Sequence, residues 1–104
     1  MPVLYLPVIR DPKGDYIPES RLQDLARDCV INDIAAGTWE AGVSRVIATN
    51  QSTGKIWDAS VEIAAAALYQ AIDRSGYNIP TSCRDFCETF LGLNAVQSVM
   101  RAAA

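Results

Sequence analysis

Two strand-forming runs stand close together in the middle of the chain, and a helix follows them directly. Val43–Thr49 reads as one strand and Lys55-Ile56-Trp57 as its return, with the turn cluster Asn50-Gln51-Ser52-Thr53-Gly54 between them. That spacing predicts a hairpin with a loop longer than the tightest turns. Val61–Arg74 is alanine-rich and helix-favouring. Asp58 or Ser60 can cap it, Glu62 sits in its favourable first turn, and Gly76 and Pro80 end it. Strand, strand and helix in succession do not make the alternation a parallel βαβ array requires. An antiparallel sheet with helices on one side is the expected arrangement.

The flanking segments fit the same plan. Val3–Arg10 favours a strand, and Pro7, which cannot donate to a ladder, places it at a sheet edge. Asp11-Pro12-Lys13-Gly14 suits a type I turn, with room for a short strand after it. Ser20 and Gln23 have capping-box spacing, and Leu22, Leu25, Ala26, Cys29, Val30 and Ile34 follow as one apolar stripe up to Gly37. In the alanine-rich helix the expected stripe is Val61, Ala64, Ala65, Leu68 and Ile72. Ser82 with Asp85 opens a third helix whose face carries Cys83, Phe86, Cys87, Phe90 and Leu91. Gly92 closes that helix, and Asn94 caps a last one over Ala95–Arg101, with Val96, Val99 and Met100 as its apolar positions. The predicted fold is therefore α+β in the order β-(β)-α-β-β-α-α-α. An N-terminal edge strand and a hairpin pack against three to four helices in a single domain spanning residues 1–104.

Composition excludes several chemistries. The chain has no histidine, which removes the commonest general base and the commonest zinc ligand. Its net charge is −3, and the nine lysines and arginines are scattered, so a nucleic-acid partner is not expected. Arg84 and Arg101 are too few to make a recognition helix of the C-terminal pair. Ser52-Thr53-Gly54-Lys55 has the vocabulary of a phosphate loop but neither its order nor its first glycine. No run is long enough to span a membrane, and the start of the chain lacks the pattern of a secretion signal. With an odd number of cysteines, a reducing cytoplasm is the expected compartment.

Cys83 and Cys87 are one helical turn apart, and a redox or small-ligand role built around them is the alternative to consider. Cys29 could add a third thiolate, but a closed metal site wants four ligands and no fourth is evident, so neither metal nor cofactor is expected. Both cysteines share a stripe with phenylalanines, which favours packing. The carboxylates Asp24, Asp28, Asp85 and Glu88 stand beside arginines on faces expected to be solvated. A non-enzymatic module that binds or regulates another protein is left. Its expected contact residues are Trp39 and Glu40 in a glycine-flanked loop, Ser52, Lys55 and Trp57 at the hairpin, and Tyr77 after Gly76. Self-association through the edge at Val3–Arg10 is a further expectation, as is the class of phage or mobile-element proteins that inhibit a host factor.

Overall fold

The elements run β1 (Val3–Ile9), a 3-10 turn (Leu22–Leu25), α1 (Arg27–Ala35), β2 (Val43–Asn50), β3 (Ile56–Asp58), α2 (Ser60–Ser75), α3 (Thr81–Leu91) and α4 (Leu93–Ala102). The structure is a computed structural model that describes residues 3–102; Met1, Pro2, Ala103 and Ala104 of the expected domain lie outside the described residues. The three strands form one antiparallel sheet in the order β1-β2-β3. The expected α+β architecture and element order are thus present. One core joins Tyr5 and Ile9 of β1 and Val46 and Ala48 of β2 to Ile34, Ile63, Leu68, Phe86 and Val96 from the four helices.

β1 lies at an edge, as Pro7 requires. The turn at Asp11 forms, with the Gly14 amide donating to the Asp11 carbonyl and the Lys13 amide to its carboxylate. The chain then returns for a single bridge, in which Ile9 and Tyr16 exchange both backbone bonds at 2.7 and 3.0 Å. That bridge is all that becomes of the short second strand. The Ile9 amide points away from β2 in this bridge. Pro7, two residues earlier, therefore has its missing N–H on the same open side, where the β1–β2 ladder loses nothing.

The junction between β3 and α2 decides how the helices sit on the sheet. The Ala59 amide donates to the Val46 carbonyl at 2.9 Å, continuing the ladder past β3. The Ala59 carbonyl cannot return the bond, because it already accepts from the Ile63 amide as the first turn of α2. The Ser60 hydroxyl takes its place and accepts the Val46 N–H at 2.8 Å in a fully buried setting. Asp58 completes the junction by accepting from the Ser60 amide at 2.8 Å. The Ser60 hydroxyl and then its amide hold the Asp58 carboxyl below its ordinary range, with Arg45 adding attraction.

With Ser60 fixed beneath β2, α2 turns a different arc inward than its apolar residues suggest. The buried positions are Ser60, Ile63, Ala64, Ala67, Leu68 and Ala71. Ala65 and Ile72 are half-buried, and Val61 is 58% exposed. The first helix also differs from expectation. Ser20 bonds the Pro18 carbonyl instead of capping, and an extended Ala26 (ψ 146°) separates the 3-10 turn from α1. The break resets the phase, so Leu22 and Cys29 are exposed while Val30, Ile31, Ile34 and Ala35 are buried.

Gly37 does end α1. Its amide donates to Ile34 and the Thr38 amide to Asp33, a Schellman closure with Gly37 at φ +71°. A Cβ there would lie 2.6 Å from the Pro80 Cβ, so the glycine also lets the start of α3 approach. α3 begins at Thr81 behind Pro80, and neither Ser82 nor any other side chain caps it. α4 starts at Leu93, one residue before the expected cap Asn94.

Replacing Ser60 by alanine would leave the buried Val46 amide without an acceptor. The expected loss is about 1–3 kcal/mol, read as a fall in Tm of roughly 5–15 °C by calorimetry. Asp58 is a separate test. Its folded pKa lies below the unfolded value, so its contribution is complete above about pH 4 and is lost as the pH falls through the folded value. Asp58→Ala should therefore be less stable than the native chain at neutral pH, with the gap in urea midpoint closing as the buffer is made more acidic.

Candidate interaction surface

The loop joining β2 to β3 is built around Asn50. Its side-chain oxygen accepts from the amides of Ser52 (2.9 Å) and Thr53 (3.1 Å), and its carbonyl accepts from Gly54 (2.8 Å). The Asn50 amide donates to the Lys55 carbonyl at 2.8 Å, which closes the loop across the two strands. Gly54 stands at φ +75°, a conformation glycine adopts without penalty. Ser52 and Lys55 are exposed at this ordered tip. The Lys55 ammonium lies 5.9 Å from the centre of the Trp57 ring, which is within cation–π range.

β3 is the outer strand on this side of the sheet. Asn50 with Lys55 and Val46 with Ala59 are bonded pairs of the ladder, so Trp57, opposite Ala48, directs its backbone groups toward β2. Those of Ile56 and Asp58, on either side of it, point outward. The Trp57 ring is half-buried against the core, whereas Ile56 is 69% exposed. The strand thus offers an open backbone edge, an exposed aliphatic side chain, an aromatic ring and a cation within four consecutive residues.

The other expected contact residues lie elsewhere. Trp39 is half-buried against the core in the loop before β2, in a turn closed by the Gly42 amide on the Trp39 carbonyl. Glu40 is exposed beside it and lines a small cleft with Thr81, Ser82 and Asp85. This loop precedes β2 and the hairpin tip follows it. The eight residues of β2 put roughly 23 Å between the two at about 3.3 Å per residue. Tyr77, 56% exposed, belongs to the connection from α2 to α3. Lys55 and Trp57 are therefore brought together on the hairpin, with Ser52 in the same loop, and Trp39 with Glu40 and Tyr77 form two further places.

Beyond the expected contact residues, Ile56 on β3 and Val61 and Tyr69 on α2 are exposed, Val61 against its expected place in the inward stripe, as are Tyr16, Ile17, Leu22 and Leu93. For Val61 and Tyr69 one signal was present. α2 is apolar on more than one face, and an arc that does not reach the core must look outward.

Cys83 and Cys87 are fully buried in the core, with Phe86 and Phe90 stacked at a tilt 5.1 Å apart on the same helix. The Cys87 thiol donates to the Ala64 carbonyl at 3.4 Å and so ties α3 to α2. The contact with Cys83 and burial both push the Cys87 thiol up, away from the reactive thiolate. Cys29 is exposed on α1. Among the described residues no three cysteine, aspartate or glutamate side chains come together as metal ligands would. Of the candidate carboxylates, Asp24 pairs with Arg21 and Glu88 with Arg84, each at 3.3 Å, while Asp28 and Asp85 are exposed. Asp33 is raised by partial burial and by nearby Asp24. No helix of the described residues is long and apolar enough to cross a membrane.

The chain matches no family model, and no curated protein and no solved structure proved similar to it.

The thiol geometry has a direct readout. A disulfide reagent applied to the folded chain should modify Cys29 quickly and leave Cys83 and Cys87 intact until denaturant is added; rapid native modification of either would contradict their burial.

Proposed function

We propose that this protein works by contact, as a non-enzymatic cytoplasmic module that binds and regulates another protein through the β2–β3 hairpin. One observation carries the reading above others. β3 ends the sheet with outward backbone groups at Ile56 and Asp58 and with the Ile56 side chain open to solvent. An extended segment of a partner can add to such an edge, where main-chain bonds supply affinity and alternate side chains supply selectivity.

In this mode Trp57 acts as the anchor. It is large, held from behind by the core and flanked by Lys55, a combination favoured where binding energy concentrates. Ser52 and Lys55 border the added strand at the tip. Trp39 with Glu40, and Tyr77, serve only a partner broad enough to reach their separate positions. A second copy of the chain is one such partner, pairing β3 with β3 about a two-fold axis. The small size, mild acidity and absence of histidine suit the class of phage and mobile-element proteins that occupy and inhibit a host factor, and we place it there by analogy of composition.

The test is co-purification from a bacterial lysate with the native chain and with Ile56→Asp and Trp57→Ala, each first shown to keep its circular dichroism and Tm. A stoichiometric partner held by the native chain and reduced at least about tenfold by each substitution is the expected result. A chain that is dimeric when native and monomeric as Ile56→Asp identifies the partner as a second copy. A monomer that recovers no stoichiometric partner, or a partner retained equally by both variants, would overturn the assignment to β3.

A further inference from the structure

α3 and α4 are joined only at Gly92, and this hairpin carries the start of α3 alongside the end of α4. Arg84 and Arg101, far apart in sequence, thereby line one cavity of about 390 Å³ together with Tyr77, Gln97 and Met100. We infer that this cavity binds a small organic anion, a phosphate monoester carried on a flat apolar group. The site is distinct from the β3 edge and does not depend on it.

The charge arrangement supplies the first argument. The chain is acidic overall, so two arginines lining one hollow, with no carboxylate among its lining residues and only Glu88 paired beside it, depart from the general trend. Their engagement supplies the second. Arg84 uses its Nε to donate to Glu88 at 3.3 Å, which orients the guanidinium and leaves its terminal nitrogens without a partner among the described residues. Arg101, in the last turn of α4, forms no ion pair or side-chain hydrogen bond among the described residues. Planar forks with free donors match the oxygens of a phosphate, and two such forks match its double charge better than they match one carboxylate.

The rest of the cavity addresses an apolar body. Met100 is a nearly buried floor, and the exposed Tyr77 ring offers a face for stacking. Gln97, half-buried, adds an amide that can donate or accept. The hollow is shallow and open to solvent, about 390 Å³, so it covers one face of a small ligand and leaves the other in water. A longer polyanion is disfavoured because the other basic residues are spread along the chain and do not extend this hollow into a groove.

Phenyl phosphate is the probe, with inorganic phosphate as the comparison, in an NMR titration of the ¹⁵N-labelled full chain. Saturable shifts at Tyr77, Arg84 and Arg101 are expected, with phenyl phosphate binding several-fold tighter than inorganic phosphate. Arg84→Gln and Arg101→Gln should each weaken binding at least about fivefold, and Tyr77→Ala should remove the preference for the phenyl ester. Trp57→Ala should leave all of this unchanged, which separates the site from the hairpin. Absence of saturation by about 20 mM, weaker than millimolar binding, would overturn the inference. Equal affinity for the two phosphates, or unaltered binding in the double arginine variant, would also overturn it. The amide spectrum of each variant reports directly whether it has kept its fold.

Discussion

A single buried hydrogen bond, from the Val46 amide to the Ser60 hydroxyl, sets the relation between the two layers of this fold. β2 is the middle strand, so the sheet's order depends on its ladder being complete on both sides. On the β3 side the ladder meets the point where strand becomes helix. One carbonyl cannot serve both structures, and Ala59 gives its carbonyl to α2. A hydroxyl at the next position resolves the conflict, and Asp58 binds the amide of the same residue from outside. Apolar side chains could fill that space, but none could accept the bond. Ser60 is the only polar residue among the fully buried side chains described, and its position accounts for that.

The same bond explains where reading the sequence succeeded and where it slipped. The hairpin, the edge placement of Pro7 and the glycine stop at Gly37 were legible because each rests on local chemistry: turn residues, a missing donor, a positive φ. The rotation of α2 was not legible, because it is fixed by a partner fourteen residues away across the sheet. With Val61, Ala65 and Ile72 as apolar as the residues that turn inward, periodicity alone had two nearly equal solutions. α1 failed for a related reason. An extended Ala26 is invisible in a sequence where alanine ordinarily favours helix, and one break in phase carried Cys29 from the expected core to the surface.

The candidate surfaces divide along the same line. Trp57 and Lys55 are neighbours in sequence and remain neighbours in space, and Ser52 belongs to the same loop, so composition could point to them. Ile56 was hidden by its own identity, since an isoleucine in a strand is ordinarily taken for core. Only the register shows that its side chain and its backbone groups face away from the interior. Arg84 and Arg101 were read as isolated charges because seventeen positions separate them, and the α3–α4 hairpin alone brings them to one hollow. A scattered charge list describes the field far from a protein well and the field inside a cavity poorly.

The two edges of the sheet are treated differently, and that asymmetry bears on which of them meets a partner. β1 carries Pro7 on its open side, and Tyr16 occupies the backbone groups of Ile9, so little of its edge is left to template another strand. β3 has neither device. Its protections are its three-residue length and the exposed charges at either end, Lys55 and Asp58. Natural sheets blunt edges that must stay single, and a chain that blunts one edge while leaving an isoleucine and a tryptophan on the other has spared the second from that protection. The constraint also argues for a short, selective contact. Three residues offer outward backbone groups only at Ile56 and Asp58, too few for indiscriminate stacking, so the main-chain bonds at β3 depend on its side chains for selectivity, with Trp57 the largest of them.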